Sequence, residues 1–298
     1  MKDLIFVVLL SCVVLQLRGE IAVTNSFIDR LKKTVSWEVV SYEDSIFRGW
    51  TVDEIKTLLG TEKESMLLSP DDESEASLNL PENFDSRDKW PKCVHPIRNQ
   101  GHCGSCWAHG ASEALSDRFC IKGTDVIISP QDLVSCDPHD HGCNGGGDTT
   151  PYLYLTAPGA VSDSCFPYVS GNGKVPACVS KCVNGEAYKK YKCSIGSVVV
   201  KGVTKTQQEE IYNNGPMSTS FQVYKDFLIY KSGVYYHKEG EFLGGHAIKV
   251  IGWGVEGGLN YWICSNSWDV TWGDKGFFKI KMGDCTIMDR AVACTPSI

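Results

Sequence analysis

The chain opens with an almost unbroken run of apolar residues, from Leu4 to Leu17, which follows Lys2. About 14 apolar residues are too few for a helix across a bilayer, which takes roughly 20, but they suit the apolar region of a secretory signal. We therefore predict a signal peptide over residues 1–19, with the small Gly19 before the cut. An uncleaved signal anchor is the alternative, and no later segment has the length of a membrane span.

Helical periodicity appears in three places along the rest of the chain. Apolar residues three and four apart predict two short helices and one longer helix, at Phe27, Ile28 and Leu31, at Ile55, Leu58 and Leu59, and at Trp107, Ala111, Ala114, Leu115 and Phe119. Gly123 is expected to end the longer helix. A further helix is predicted from a capping box of Thr206 and Glu209 to the helix-ending Asn214-Gly215-Pro216.

Short strand-like runs with glycine-rich turns between them follow the last of these helices. They are Gly233–His237, His246–Gly252, Asn260–Cys264 and Gly276–Met282. Helices that come first and strands that come later predict an α+β fold, with a helical half and a sheet half.

Composition then narrows the class of protein. With 298 residues, of which 42% are apolar and 22% charged, the chain can bury a sizeable core, which excludes a disordered or fibrous protein. The 29 basic and 36 acidic residues give a net charge of −7, so no nucleic acid partner is expected.

The acidic excess lies ahead of residue 79. Residues 20–78 carry 6 basic and 13 acidic side chains and no cysteine, whereas residues 79–298 carry 21 and 22. We interpret residues 20–78 as a propeptide and residues 79–298 as the body that follows it. The polar stretch Asp71–Glu75 is expected to be exposed to proteases.

Fourteen cysteines favour an oxidising compartment, and removal of Cys12 with the signal peptide leaves an odd number, so at least one thiol should stay free. Cys106 is the candidate, because the first turn of the predicted helix favours a thiolate. A thiolate can attack a carbonyl carbon if an imidazole handles the protons. His246 is the candidate base, and Asn266 is the candidate acceptor that orients it.

The same region allows two other kinds of chemistry. Cys103 and Cys106 form a C-x-x-C pair at a helix start, as in thiol–disulfide oxidoreductases, although no βαβ pattern precedes them. A zinc site from His102 and these cysteines would lack the usual second C-x-x-C pair. His139 and His141 could also bind a metal, but their sequence context favours a solvated loop.

The motifs around the candidate residues resemble those of the papain-like cysteine peptidases, and within that family the cathepsin B group. The matching segments are Gln100-Gly101-His102-Cys103-Gly104-Ser105-Cys106-Trp107-Ala108, Cys143-Asn144-Gly145-Gly146, Gly244-Gly245-His246-Ala247-Ile248, Ser265-Asn266-Ser267-Trp268, Leu80-Pro81-Glu82-Asn83-Phe84-Asp85-Ser86-Arg87, Gly252-Trp253-Gly254-Val255-Glu256 and Trp272-Gly273-Asp274-Lys275-Gly276-Phe277-Phe278. The resemblance runs from about Leu80 to the end of the chain and is weaker before it. It implies a papain-like α+β fold, in which a helical domain and a β-rich domain face each other across the active-site cleft.

The resemblance implies a role for each matched catalytic residue. Cys106 would be the nucleophile, His246 its acid and base, and Asn266 the residue that orients His246. Gln100 and the Cys106 N–H would form the oxyanion hole, and Trp268 would shield the histidine–asparagine hydrogen bond from water.

Further roles follow from the same resemblance. Gly145 and Gly146 would bind the substrate backbone, where a Cβ would block close approach. His109 stands where the family usually has phenylalanine. Four disulfides are implied: Cys93–Cys120, Cys103–Cys143, Cys136–Cys178 and Cys165–Cys182. The sequence names no partner for Cys193, Cys264, Cys285 or Cys294.

The function implied is that of a secreted zymogen of a cysteine endopeptidase, which cleaves peptide bonds through a thioester on Cys106. Its partners would be protein and peptide substrates and its own propeptide as an inhibitor. It would need no metal or organic cofactor, would be a monomer, and would leave the membrane once the signal is removed. Its destination would be a lysosome-like acidic vacuole or the outside of the cell. A thiol–disulfide oxidoreductase and an inactive cathepsin B-like binding protein are the alternatives.

Two features depart from cathepsin B, in which a long occluding loop with two histidines receives the C-terminal carboxylate of a substrate. Here only 12 residues, none of them histidine, separate Cys165 from Cys178. We therefore expect endopeptidase activity without dipeptidyl carboxypeptidase activity. Counting five residues on from a cysteine, as in cathepsin B, places Arg290 on the floor of the S2 pocket. With Ser220 and Ala247 on the walls, the pocket should prefer an apolar P2 residue.

Overall fold

The computed structural model describes residues 19–61 and 79–298. The rest of the predicted signal peptide and the stretch Asp71–Glu75 lie outside the described residues. No helix in the described ranges is long and apolar enough to cross a membrane.

Two short helices lie in residues 19–61, and the other helices lie in the body, all but one of them in its first half around one long central helix. The helices are α1 (Asn25–Leu31), α2 (Val52–Lys56), α3 (Ser86–Lys89), α4 (Cys106–Ile121), α5 (Pro130–Cys136), α6 (Thr150–Thr156) and α7 (Thr204–Asn214). The longer helix predicted from Trp107 to Phe119 is α4, which begins at Cys106 and ends before Gly123, a residue with a φ of +92°. It is buried over most of its length, so its first residue is held rigidly at the cleft.

Strands lie mostly in the second half of the body, and two short strands precede that half. They are β1 (Glu38–Val39), β2 (Phe84–Asp85), β3 (Val199–Lys201), β4 (Met217–Tyr224), β5 (Tyr230–Ser232), β6 (Val234–Tyr235), β7 (Phe242–Glu256), β8 (Leu259–Ser265), β9 (Phe277–Lys281) and β10 (Ala291–Ala293). The main sheet has the order β3-β10-β4-β7-β8-β9-β6, and β2 also pairs with β7. The four predicted strands appear as β6 to β9 with shifted ends, and the sequence analysis did not predict β4.

The capping box predicted at Thr206 is wrong. α7 begins at Thr204, and the Thr206 hydroxyl donates to the Val203 carbonyl within the first turn instead of capping the helix. The predicted end at Asn214 is confirmed, since Gly215 takes a φ of +104° there.

Residues 19–61 pack largely on the sheet half of the body. Their predicted helical faces are buried in one apolar cluster with sheet-half aromatics, through Phe27, Ile28, Leu31, Ile55 and Leu58. A capping box of Thr51 and Glu54 starts α2, and β1 pairs with β5 of the body. This segment therefore leads across the sheet half and ends in the cleft.

Covalent links are concentrated in the helical half. The structure has the four disulfides that the resemblance implied and a fifth, Cys193–Cys294. Among the described residues, Cys106, Cys264 and Cys285 are free and buried. More than one thiol is therefore free, and Cys106 is the one that lies in the cleft.

Candidate active site

Cys106 opens α4 at the border between the two halves. The preceding Gly104 donates its N–H to the Cys143 carbonyl at 3.0 Å, which ties the start of the helix to the neighbouring loop. The Cys106 side chain is 0% exposed. The N–H of Gly60 points at its sulfur from 3.4 Å, so an amide hydrogen of the N-terminal segment faces the thiol.

His246 on β7 and Asn266 after β8 form a buried pair on the sheet side. His246 Nε2 lies 2.7 Å from Asn266 Oδ1, and that oxygen also accepts the Ser267 N–H at 2.8 Å. The histidine therefore donates from Nε2, which leaves Nδ1 as the basic nitrogen of the neutral ring. The ring of Trp268 lies 4.6 Å from that of His246, centroid to centroid, and covers the pair.

Gln100 is fixed from both ends of its side chain. Ser267 Oγ donates to Gln100 Oε1 at 2.7 Å, which turns Nε2 towards the carbonyls of Leu58 and Cys103, each 2.8 Å away. Ser267 was not predicted to have a role, although it stands between Asn266 and Trp268 in the sequence. Its contacts show that this stretch orients Gln100 as well as His246.

Burial sets the protonation of the pair in this covered state. Burial raises the pKa of Cys106 to about 11, and the nearby Asp148 carboxylate adds to the rise. Burial lowers the pKa of His246 to about 4, against the opposing effect of the hydrogen bond to Asn266. Near neutral pH the covered cleft therefore holds a thiol and a neutral imidazole, rather than a thiolate and an imidazolium.

Comparison with known proteins decides the family. Residues 80–295 match the family described as papain family cysteine protease. This chain belongs to the papain family of cysteine proteases. It is 43% identical over 267 residues to a gut-specific cysteine proteinase of Caenorhabditis elegans, across 81% of this chain and 77% of the relative. It is 38% identical over 235 residues to cathepsin B of Dictyostelium discoideum, across 74% of this chain and 76% of the relative.

A solved papain-family proform has the same fold. The structure matches procathepsin B S9 of Trypanosoma congolense with a TM-score of 0.86 at 34% identity, across 93% of this chain and 100% of that one. The predicted papain-like α+β fold and the resemblance to the cathepsin B group are confirmed. The protein is a cathepsin B-like cysteine protease.

In this papain-family chain, residues 60 and 61 bridge the two walls of the cleft. The N–H of Gly146 on the helical wall donates to the Gly60 carbonyl at 2.9 Å, and the N–H of Thr61 donates to the Gly245 carbonyl on the sheet wall at 3.3 Å. A Cβ on Gly146 would lie 2.6 Å from the ring of Trp107, so only glycine fits here. Gly146, one of the two glycines predicted to bind the substrate backbone, thus already binds the backbone of Gly60.

Strand pairing brings the residues predicted for the S2 pocket together. Ser220 on β4 stands opposite Ala247 on β7, and the neighbouring Thr219 hydroxyl donates to the Arg290 carbonyl at 2.6 Å. Asp148 was not among the predicted residues, yet its carboxylate accepts the Ser220 hydroxyl at 2.8 Å. An acidic residue just after the glycine run at 145–147 was the available signal.

The oxidoreductase alternative is not favoured by the disulfides. Cys103 is bonded to Cys143, so it cannot form a dithiol with Cys106 or offer a thiolate to zinc. His102 instead stacks on Trp50 of the N-terminal segment, with ring centroids 4.3 Å apart.

Other candidate metal ligands are also engaged. His139 Nδ1 lies 2.8 Å from the Asp137 carboxylate. Among the described residues, Asp132, Cys136 and Cys178 lie close enough together to hold an ion, but the two cysteines are joined in a disulfide. That group therefore offers no thiolate ligand.

Proposed function

We propose that the protein is the secreted zymogen of a cysteine endopeptidase, with residues 20–78 as inhibitory propeptide and residues 79–298 as peptidase domain. One observation carries the proposal. The Gly60 N–H contacts the Cys106 sulfur while the Leu58 carbonyl takes up the Gln100 side-chain amide. The groups that would act on a substrate are thereby engaged by the N-terminal segment, and the N–H facing the sulfur offers it no electrophile.

Release of residues 58–61 would open the cleft to water and substrate. Water would then stabilise the Cys106 thiolate and the His246 imidazolium. The sulfur attacks the scissile carbonyl carbon, and the electron pair of the C=O bond moves to oxygen, where Gln100 Nε2 and the Cys106 N–H stabilise it. As the C–N bond breaks, His246 gives its proton to the leaving amine. Water, deprotonated by His246, then hydrolyses the thioester and restores the ion pair.

The direct test is hydrolysis of a fluorogenic dipeptide amide by the protein after its N-terminal segment has been removed by added pepsin. Cys106→Ala should lower the rate at least about 1,000-fold, since the attacking sulfur is lost. Cys264→Ala, which removes a buried free thiol on β8, is the matched control and should keep the rate within about threefold. Hydrolysis that persists in Cys106→Ala would contradict the proposal.

An apolar P2 residue is the proposed main preference of the S2 pocket. The Arg290 carbonyl accepts the hydroxyl of Thr219, the neighbour of Ser220 on β4, and this supports the proposal because a guanidinium at the pocket repels a cationic P2 side chain. Asp148 at the same pocket offsets part of that repulsion. We therefore expect arginine at P2 to be disfavoured, but less strongly than Arg290 alone would dictate.

Endopeptidase activity without dipeptidyl carboxypeptidase activity is proposed from the short segment between Cys165 and Cys178. It offers no histidine pair for a substrate carboxylate. A peptide with a blocked N-terminus should therefore be cut internally rather than shortened by C-terminal dipeptides. Efficient release of such dipeptides, followed by mass spectrometry, would contradict this.

Activation by acid in a lysosome-like vacuole or outside the cell is proposed for the zymogen. The apolar N-terminal run and the five disulfides support passage through the secretory pathway. Three ion pairs hold residues 19–61 to the body, Glu20–Lys225, Arg30–Glu239 and Glu38–Lys231. The hydrogen bond to Lys225 lowers the pKa of Glu20, so acid that protonates Glu20 would weaken the inhibitory contact.

A further inference from the structure

A chain of hydrogen bonds runs from His109 to the backbone of Gln100. His109 lies on α4, one turn after Ser105, and is 1% exposed. Its Nδ1 lies 3.0 Å from the Ser105 carbonyl oxygen and 3.4 Å from Ser105 Oγ. Ser105 Oγ lies 2.8 Å from Tyr168 Oη, which in turn lies 2.8 Å from the Gln100 carbonyl oxygen. The mechanism above gives His109 no role.

The carbonyls at the two ends fix the position of every proton in this chain. A carbonyl only accepts, so Tyr168 donates its single proton to Gln100, and the Ser105 hydroxyl must donate to Tyr168. The Ser105 carbonyl likewise requires a donor at Nδ1 of His109. His109 is therefore the Nδ1–H tautomer, and its buried Nε2 has no hydrogen-bond partner among the described residues.

The surroundings keep this imidazole neutral. Burial lowers the pKa of His109 to about 3, and positive charge on Arg98 or His246 opposes a further charge. A protonated ring would also bury an N–H without a partner at Nε2. The edge of the ring packs on Tyr168, with centroids 4.6 Å apart, so the donor at Nδ1 is held in place while His246 exchanges protons.

We propose that His109 is a positioning residue for the oxyanion hole. The oxyanion hole takes its donors from Gln100 and from the Cys106 N–H. The hydrogen-bond chain reaches both places, because it ends at Gln100 on one side and at Ser105, the residue before Cys106, on the other. By donating to the Ser105 carbonyl, His109 holds in place the residue whose hydroxyl orients Tyr168 and thereby the Gln100 backbone. The phenylalanine usual in the family has no donor for this task. The inference rests on the peptidase function proposed above.

His109→Phe tests the proposal, because it keeps an aromatic ring and removes the donor. It should lower kcat for a peptide amide about tenfold with little change in KM, since the oxyanion forms only after binding. Inactivation by iodoacetamide should stay within about twofold of the wild-type rate, because alkylation of the sulfur forms no oxyanion. His109→Asn, which returns an N–H near the position of Nδ1, should recover most of kcat.

Tyr168→Phe breaks the same chain at a second link and should give the same split between the two reactions. The double variant should be about as slow as the slower of the two single variants, because both substitutions interrupt the same hydrogen-bond chain. Tyr152→Phe is the matched control. It removes a buried hydroxyl bond to Ser218, outside the chain, and should leave the ratio of the two rates unchanged.

If His109→Phe hydrolysed the amide at the wild-type rate, the proposal would be overturned. A parallel fall of hydrolysis and alkylation in the variants at 109 and 168 would also overturn it, since that is the result of general damage to the site. Should His109→Phe fail to fold, His109→Asn and Tyr168→Phe decide between the same outcomes. Failure of the proposed peptidase function would instead appear as no amide hydrolysis by the wild type.

Discussion

The two halves of the body hold the N-terminal segment in different ways. On the sheet half, the segment is held by side chains, through the apolar faces of α1 and α2 and the ion pairs of Glu20, Arg30 and Glu38, in addition to the backbone pairing of β1 with β5. On the helical half, backbone groups of residues 58–60 contact Gln100, Cys106 and Gly146. A side-chain contact is added there by the stack of Trp50 on His102.

This difference assigns two tasks to two surfaces: the sheet half recognises the N-terminal segment, and the helical half is where that segment blocks the active site. Side-chain contacts depend on sequence and, where carboxylates take part, on pH. Backbone contacts depend only on an extended chain that reaches the cleft, and a substrate would use the same ones. We therefore expect changes on the sheet side to tune how long the segment stays bound, and changes at residues 58–61 to decide whether the site is closed.

Gly60→Ala should have the largest effect on inhibition. A Cβ on Gly60 would lie 2.0 Å from the Gly104 carbonyl oxygen, so the segment must leave the helical wall. Overpacking of this kind costs about 1–3 kcal/mol, which is about 5- to 150-fold in affinity. The zymogen should then hydrolyse a dipeptide amide without acid treatment. Gly49→Asn is the control, since Gly49 has open space around it and asparagine tolerates its φ of +82°. A fully inhibited Gly60→Ala zymogen would show that residues 58–61 do not close the site.

Asn266→Ala should be the most damaging change on the sheet wall apart from His246 itself. The loss of the buried hydrogen bond should lower kcat about 10- to 100-fold. Because this bond raises the pKa of His246, its removal should lower that pKa. Activity that needs the imidazolium is lost as pH rises through the pKa, so the alkaline limb of kcat/KM should move to lower pH. An alkaline limb that stays in place or moves up would contradict the orienting role.

The P2 preference of the S2 pocket should depend on one charged side chain from each half of the body. Leucine at P2 should exceed arginine at P2 by about tenfold in kcat/KM. Arg290→Glu, on the sheet side, should raise the rate with P2 arginine, whereas Asp148→Asn, on the helical side, should lower it further. Paired dipeptide amides that differ only at P2 measure both effects. Equal wild-type rates, or no gain in Arg290→Glu, would mean that Arg290 does not line the pocket.

Glu20→Gln should have the smallest effect. Its hydrogen bond to Lys225, and then the charge of Lys225, lower the pKa of Glu20 in the bound segment. The contact therefore stabilises binding above the ordinary pKa of glutamate and is lost as pH falls through the lowered value. Glu20→Gln should move the midpoint of acid activation slightly to higher pH, and it should weaken inhibition at most about fivefold because the pair is exposed. Glu43→Gln, which breaks an ion pair within the segment, should not move the midpoint.

Local patterns predicted the local features well. The apolar spacing from Trp107 to Phe119 predicted α4, because one face pattern and one glycine suffice to define that helix. The same approach failed at α7, where the first turn lacks a capping side chain. It also missed β4, whose first residues, including polar Ser218 and Thr219, are buried on both faces and so do not alternate.

Residues that come together from distant parts of the chain were the ones missed. Asp148 bonds to Ser220, 72 residues away, and Tyr168 bonds to Gln100, 68 residues away. Cys193 and Cys294 are 101 residues apart. No local pattern encodes such contacts, because they depend on how the two halves pack. The resemblance supplied the roles of Cys106, His246, Asn266 and Gln100 for the same reason.

The most direct test of the central claim is to alkylate the zymogen and the processed enzyme with iodoacetamide and to locate the modified cysteine by mass spectrometry. The account predicts that the processed enzyme loses all activity as one label enters Cys106, while Cys264 and Cys285 stay unlabelled. The zymogen should react far more slowly, because Gly60 covers the sulfur and burial raises the pKa of Cys106 to about 11. Inactivation through another cysteine, or equal labelling of Cys106 in both forms, would contradict it.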